Sequence, residues 1–293
     1  MIAFNYNIHF QDEPTLDDGI YDANKENLYI IKSTNTETLQ KLTFKSEYLP
    51  LSGREASYGA EKVYALCKKG CQWGVDVKGL MSFLWRGDEQ KIYYAPQENY
   101  STELLQFWIL HTILPTFFSL DNTYNILHVG AVEVKEKPIL FSAESFGGKS
   151  TMTDYFLKQG HTLISDDTVG VYEDKGTFKV VASYPFHRPY REAESLGFKV
   201  TKVMHDPKPI HAVYLLEKSD ADAKVVIEEV KGIAKYRAFH FSTFINFDFL
   251  KEQHFKILSA MANSIPVYKV TVPWDLKQLP EVYEKIVQHT LKD

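Results

Sequence analysis

"SAESFGGKSTMTDYFLKQGHTLISDD", Ser142 to Asp167, holds a glycine-rich loop, a helix-length segment, a short apolar strand and a closing pair of aspartates. Gly148-Lys149-Ser150 fit the end of the phosphate-loop pattern G-x-x-x-x-G-K-[ST], with Ala143 where the first glycine belongs. A loop of this kind needs a strand to deliver it and a helix to begin where it ends. The first N–H groups of that helix have no intrahelical acceptor and sit at the positive end of the helix dipole. Both neighbours are predicted here. "ILFSA" reads as a short strand buried on both faces, and "STMTDYFLKQG" as a helix stopped by Gly160.

The residue types suit triphosphate chemistry. Ala143, Glu144, Ser145, Phe146, Gly147, Gly148, Lys149, Ser150 and Thr151 form the expected phosphate cradle. Gly147 and Gly148 permit backbone shapes that side chains block. Lys149 reaches the β- and γ-phosphates, and the Ser150 hydroxyl holds Mg²⁺. Alanine is the mildest replacement at position 143, so a reshaped loop is expected rather than a dead one.

"HTLIS" reads as the next strand and is expected beside the strand that delivers the loop. Asp166 and Asp167 follow it. Neighbours within a strand point to opposite faces, so both carboxylates serve one site only if the pair lies at the strand end, where the backbone bends. There one carboxylate of the pair can hold a metal ion through water and the other can accept the proton of an attacking hydroxyl; two solvated loop aspartates are the competing reading. Downstream, "YPFHRPYRE" offers Arg188 and Arg191, whose guanidinium groups suit phosphate; an exposed Pro-rich loop with solvated arginines is the competing reading.

The rest of the chain bounds these readings. Its 293 residues suit one large domain or two modest ones, and a net charge of −5 argues against a nucleic-acid backbone as main partner. Cys67 and Cys71, in "CKKGC", lack the second pair a zinc site needs, and are read as reduced thiols of a cytosolic protein. No basic, apolar leader opens the sequence. The most apolar window, Leu104 to Leu120, contains His111 and Pro115 and is short for a membrane span. It is expected to be a buried helix kinked near Pro115. A cytoplasmic protein without membrane partners follows.

Residues 1–100 read as a β-rich region. "IAFNYNIHF", "ENLYIIKS" and "KIYYAP" are strands, "EYLPLSGREASYG" a loop and "VKGLMSFLWRG" a short helix. From Ser101 to residue 293 the pattern is α/β. "YNILHVGAVEV" is a strand, "KEKP" a turn, and "TVGVYED" with "FKVVAS" a hairpin. "HAVYLLE", "AKVVIEEV" and "IPVYKVTV" are later strands. "STFINFDFLKEQHFKILSAMANS" is one long helix or two, and "DLKQLPEVYEKIVQHTLKD" the last.

With these features in order (His128, Gly148-Lys149-Ser150, Gly160-His161 and Asp166-Asp167), the stretch from Leu127 to Val171 resembles the catalytic core of HPr kinase/phosphorylase and its kinase relatives. Their phosphate-loop fold is related to phosphoenolpyruvate carboxykinase. The resemblance implies an α/β kinase domain over 101–293, preceded by a β-rich region over 1–100 that recognises the acceptor or a partner. It implies ATP and Mg²⁺ as cofactors and a hydroxyl of a peptide, protein or small molecule as acceptor. Asp167 is then the general base, Lys149 neutralises the transferring group, Ser150 and Asp166 hold the metal, and His128 lies near the phosphates or the base. Arg188 would face the transition state. Taken alone, His128 on a strand reads as a core histidine. Two departures stand: Ala143, and the absence of the family's later acidic signature, with Glu192 near its place in an unlike context. Phosphorylase activity is therefore not carried over. The alternative is a nucleotide-binding module without transfer, used in assembly or regulation.

Overall fold

The computed structural model describes residues 1–16, 18–33, 42, 44–63, 70–144, 146–189, 192–245 and 247–292. The chain divides into two compact units, Met1–Tyr124 with Arg191–Leu196, and Asn125–Tyr190 with Gly197–Asp293. It is an α/β protein with a β-rich N-terminal sheet followed by helices. The change of sequence character falls at Ser101, whereas the first unit also contains the apolar helical segment beyond it.

The first unit is built on β1 (Ile2–Ala3), β2 (Tyr6–Phe10), β3 (Glu26–Lys32), β4 (Phe44–Lys45), β5 (Leu49–Leu51), β6 (Arg54–Ala60), β7 (Gln72–Val77), β8 (Met81–Arg86) and β9 (Lys91–Pro96). They form one sheet in the order β1-β2-β3-β9-β8-β7-β6-β4, with β5 on β6. Three segments of this region fold otherwise than their local sequence suggests. "IAFNYNIHF" is a hairpin, because Phe4 and Asn5 both take positive φ and fold β1 onto β2. "EYLPLSGREASYG" is also a hairpin, since Ser52 and Gly53 supply the two positive-φ positions of a tight turn between β5 and β6. "VKGLMSFLWRG" is a strand: every residue from Met81 to Trp85 is buried, so the polar alternation that marks a half-exposed strand is missing.

Helix α1 (Thr102–Trp108), capped by Ser101, runs into a π-helical turn over Ile109–Ile113 and on into α2 (Leu114–Leu120). The irregularity falls just ahead of Pro115, whose ring nitrogen cannot donate to a helical carbonyl. Arg54 holds Glu194 through two bonds of 2.5 and 2.6 Å, and Trp108 Nε1 donates to the same carboxylate at 2.9 Å, which ties the segment Arg191–Leu196 into this unit. Cys71, expected as a reduced thiol, is disulfide-bonded, and Gly70 (φ +87°) turns the chain just before it. Cys67 lies outside the described residues.

The second unit contains β10 (Asn125–Leu127), β11 (Gly130–Val134), β12 (Lys137–Ser142), α3 (Lys149–Lys158), β13 (Thr162–Ser165), β14 (Val169–Asp174), β15 (Thr177–Val181), β16 (Phe186–His187), β17 (Phe198–Lys199), β18 (Lys208–Pro209), β19 (Ala212–Ser219) and β20 (Ile227–Glu229). It ends with α4 (Ile233–Phe241), α5 (Lys251–Ser264), β21 (Val267–Pro273) and α6 (Leu279–Lys292). Six strands pair as β13-β11-β12-β19-β21-β20, and four as β10-β14-β15-β18. The parallel strands β12, β19 and β21 lie at the centre of the larger sheet. Side chains alternate across it. Ala131, Leu140 and Val213 enter one core with Val169, Val180, Phe239 and Met261. Val132, Phe141 and Tyr214 enter the other with Met152 and Phe156 of α3 and Val282 and Ile286 of α6.

"YNILHVGAVEV" is two strands, not one: it breaks at His128-Val129, and β10 and β11 join different sheets. The strand before the aspartates lies one place further out than expected. The two-residue turn at Lys135-Glu136, both with positive φ, folds β11 straight back onto β12, while β19 pairs with the other edge of β12. β13 therefore pairs with the outer edge of β11. Helix α4 falls where no helix is predicted. The helix expected from Ser242 begins at Lys251, after a 3₁₀ turn at Asp248–Leu250.

Candidate functional site

β12 delivers the glycine loop and α3 begins at its end, as the loop chemistry requires. The Gly147 N–H donates to the Glu144 carbonyl at 2.9 Å, curling the loop tightly. A Cβ on Gly147 would lie 2.7 Å from Ala143 Cβ and 2.9 Å from Glu144 O, so this position takes only glycine. Phe146 (φ 60°) and Gly148 (φ 89°) are left-handed, and Phe146 is exposed. Ser145 lies outside the described residues.

Gly148 caps α3 without a side chain to offer. The first i→i−4 bond of the helix runs from the Met152 N–H to the Gly148 carbonyl at 2.9 Å, so the Ser150 and Thr151 N–H groups have no helical carbonyl to receive them. Lys149 is buried at 4% exposure, and its Nζ donates to the Ala143 carbonyl at 3.0 Å, placing an ammonium against the start of the loop. The helix sits close on β11. A Cβ at Gly130 would come within 2.3 Å of Thr153 Oγ1, which itself donates to the Lys149 carbonyl at 3.0 Å.

Asp166 and Asp167 stand just beyond β13, at the bend that lets both serve one place. The Ser165 hydroxyl makes that bend by accepting from the Asp167 and Thr168 N–H groups at 3.2 and 3.0 Å. Both carboxylates are buried. Asp167 Oδ1 lies 3.4 Å from His128 Nδ1, and Oδ2 lies 3.7 Å from the Arg188 guanidinium. His128, in the break between β10 and β11, is anchored by its N–H to the Ser242 carbonyl at 2.5 Å, and Ser242 Oγ pairs with Ser142 Oγ at 2.8 Å. The end of β12, His128 and Asp167 are thereby linked through Ser242.

The hub of the site is a residue that sequence reasoning passed over. His187, buried in β16, has Nδ1 2.8 Å from Asp166 Oδ2 and Nε2 3.1 Å from Asp154 Oδ1 on α3. The Arg188 N–H donates to the same Asp166 oxygen. Burial alone would lower the His187 pKa, but the hydrogen bond and charge of Asp166, followed by those of Asp154, outweigh it and raise the value. The ring is thus favoured as an imidazolium that donates to two carboxylates. Asp154 follows Ser150 by one helical turn, so the two share a face of α3. That i,i+4 relation was visible in the sequence; the partner across the bridge was not. Tyr184 OH is buried and has no hydrogen-bond partner among the described residues. Its pKa lies well above the usual value, through burial first and the Asp167 charge second.

The structure therefore brings Ala143, Glu144, Phe146, Gly147, Gly148, Lys149, Ser150 and Thr151 into one loop and helix start. It gathers His128, Asp166, Asp167 and Arg188 into one cluster. Arg191 lies outside the described residues, and Glu192 belongs to the segment grouped with the first unit. Among the described residues no three His, Cys, Asp or Glu side chains converge as a ready-made metal cage, and no helix is long and apolar enough to cross a membrane. A magnesium ion on a nucleotide needs less than such a cage: one or two carboxylates, waters and the phosphates themselves. The Ser150 hydroxyl and the Asp166 carboxylate fit that requirement in kind.

Fold and site together define an α/β protein in which the helix of a strand–glycine-loop–helix unit is linked through His187 to a buried aspartate pair. No protein-family model matches the chain, and no curated protein matches it. Among solved structures it is similar to an Hpr(Ser) kinase/phosphatase from Coxiella burnetii, with 11% identity and a TM-score of 0.36 over 57% of this chain and 97% of that one. At that score the similarity carries no weight for the chemistry.

Proposed function

We propose that the second unit is an ATP-dependent kinase of the HPr-kinase-like type, transferring the γ-phosphoryl group to a hydroxyl. One observation carries the reading: His187 joins Asp154, on the Ser150 face of the loop helix, to Asp166 of the aspartate pair. Phosphoryl transfer asks a protein mainly for positioning and charge stabilisation, and the bridge holds the two halves of such a site in register. Mg-ATP, when bound, supplies the transferable group. Lys149 and the N–H groups at the start of α3 receive its phosphates, while Ser150 and Asp166 face the metal. Asp167, oriented by His128 and Arg188, takes the proton from the acceptor hydroxyl, which belongs to a serine of a peptide or protein or to a small molecule.

One observation favours the second reading, a nucleotide-binding module without transfer. Oδ2 of Asp166, the expected metal ligand, already receives His187 and the Arg188 N–H.

The test separates the two. Calorimetry with Mg-ATP should show binding that Lys149→Ala weakens. Asp167→Asn should retain binding while phosphate release from ATP falls by about 10²-fold, the usual worth of a general base. Absence of binding in the wild-type protein overturns both readings. Binding with turnover unchanged in Asp167→Asn removes the base from the mechanism, and binding with no turnover at all selects the module.

A further inference from the structure

Behind the glycine loop lies a cavity of about 300 Å³, opening beside Gly147, Gly148 and Thr151. Its walls are apolar: Met152 of α3, Leu216 of β19, Val272 at the end of β21 and Val282 of α6. Trp274 and Leu276, in the turn from β21 to α6, complete the rim and are 45% and 75% exposed. Two large apolar side chains left open to water beside a formed cavity are not explained by the packing of the fold. The indole is braced by Lys218, whose ammonium lies 4.1 Å from the ring centroid and which does not line the cavity. Among the described residues that line it, Asp275 is the one that ionises.

We infer that this cavity receives the base of the bound nucleotide, stacked on Trp274. The inference rests on the nucleotide reading above and extends it to residues outside the glycine loop. The volume lies at the low end for small-molecule sites, roughly 300–1,000 Å³, which suits a base with part of its sugar rather than a whole triphosphate. The shared rim sets the direction. A nucleotide whose phosphates meet the N–H groups of Ser150 and Thr151 has Gly148 and Thr151 beside it, and those residues open onto the cavity. Every base has a π-face, so an indole gives affinity without demanding one sequence of donors and acceptors. Asp275 Oδ1 accepts the Lys277 N–H at 3.0 Å, and the other oxygen of that carboxylate suits an exocyclic amino group such as adenine N6.

Affinity for Mg-ATP and for Mg-tripolyphosphate, which keeps the phosphates and lacks the base, tests the assignment on the full chain by calorimetry. Trp274→Ala should weaken ATP by about tenfold and leave tripolyphosphate within about twofold, with Trp274→Phe retaining most of the ATP affinity. Trp274 is half exposed and outside both cores, so its removal should not unfold the unit. Unchanged ATP affinity in Trp274→Ala, or tripolyphosphate binding to the wild type as tightly as ATP, overturns the base assignment while the phosphate site stands. A wild-type protein that binds neither ligand overturns the nucleotide reading and the base assignment with it.

Discussion

Replacing His187 by glutamine probes the bridge directly. Glutamine is close in size but carries no charge, so neither charged arm to the carboxylates survives. Two arms are lost unequally. Asp154 keeps a second partner, Lys158 Nζ at 2.6 Å, and sits near the surface, so this arm is worth about 0.5 kcal/mol. Asp166 is buried and retains the Arg188 N–H. Losing a charged hydrogen bond to it costs about 1.5–3 kcal/mol. The sum is about 2–3.5 kcal/mol, toward the low end of the ~3–5 kcal/mol of a fully broken buried pair because Asp166 keeps a donor. At about 2–4 °C per kcal/mol for a unit of this size, melting should fall by roughly 4–14 °C.

The pH dependence has a fixed sign. The folded-state pKa of His187 is raised, so its contribution is fully present below the unfolded value of about 6.5 and is lost as pH rises through the folded value. Scanning fluorimetry of wild type and His187→Gln, from about pH 5 upward through neutral into mildly alkaline solution, should show the gap widest at the acid end and narrowing upward. Equal melting at the acid end, or a gap that grows with pH, refutes the imidazolium bridge.

Three further predictions concern the glycine loop and the helix that follows it. Gly130→Ala should destabilise by about 1–3 kcal/mol in urea unfolding, because its Cβ would strike Thr153 Oγ1; combined with Thr153→Ala, it should cost less than the sum of the two single changes. Gly147→Ala should abolish or sharply weaken ATP binding in calorimetry, since its Cβ collides with Ala143 and Glu144 of the same loop. Ala143→Gly should leave ATP affinity unchanged and lower stability by roughly 0.4–1 kcal/mol, the entropy of the freer unfolded chain. A several-fold gain in affinity would show a loop strained by alanine.

Local chemistry explains what could be read before the fold was known. The strand, glycine loop and helix from Lys137 to Gly160, the turn at Lys135-Glu136 and the hairpin of β14 and β15 are contiguous in sequence. Their signals, namely apolar runs, glycine stops and turn residues, act within a few positions. The same locality placed Asp166 and Asp167 at a strand end. Where the signal misled, a local pattern was overridden. β8 shows no alternation because both of its faces are covered, and Ser52-Gly53 builds a hairpin where turn residues suggested loop. The partners of the aspartates depend on distant chain segments. Nothing near Asp166 in sequence announces His187, and nothing near Asp167 announces the Ser242 carbonyl that anchors His128. The cavity behind the loop is assembled from β19, β21, α3 and α6, which meet only once the parallel strands have paired. Residue types and spacing determined which groups are candidates for holding phosphate and taking a proton. Strand pairing and the packing of α3 on β11 decided which face one another, because a contact between residues far apart in the chain leaves no periodic trace along it.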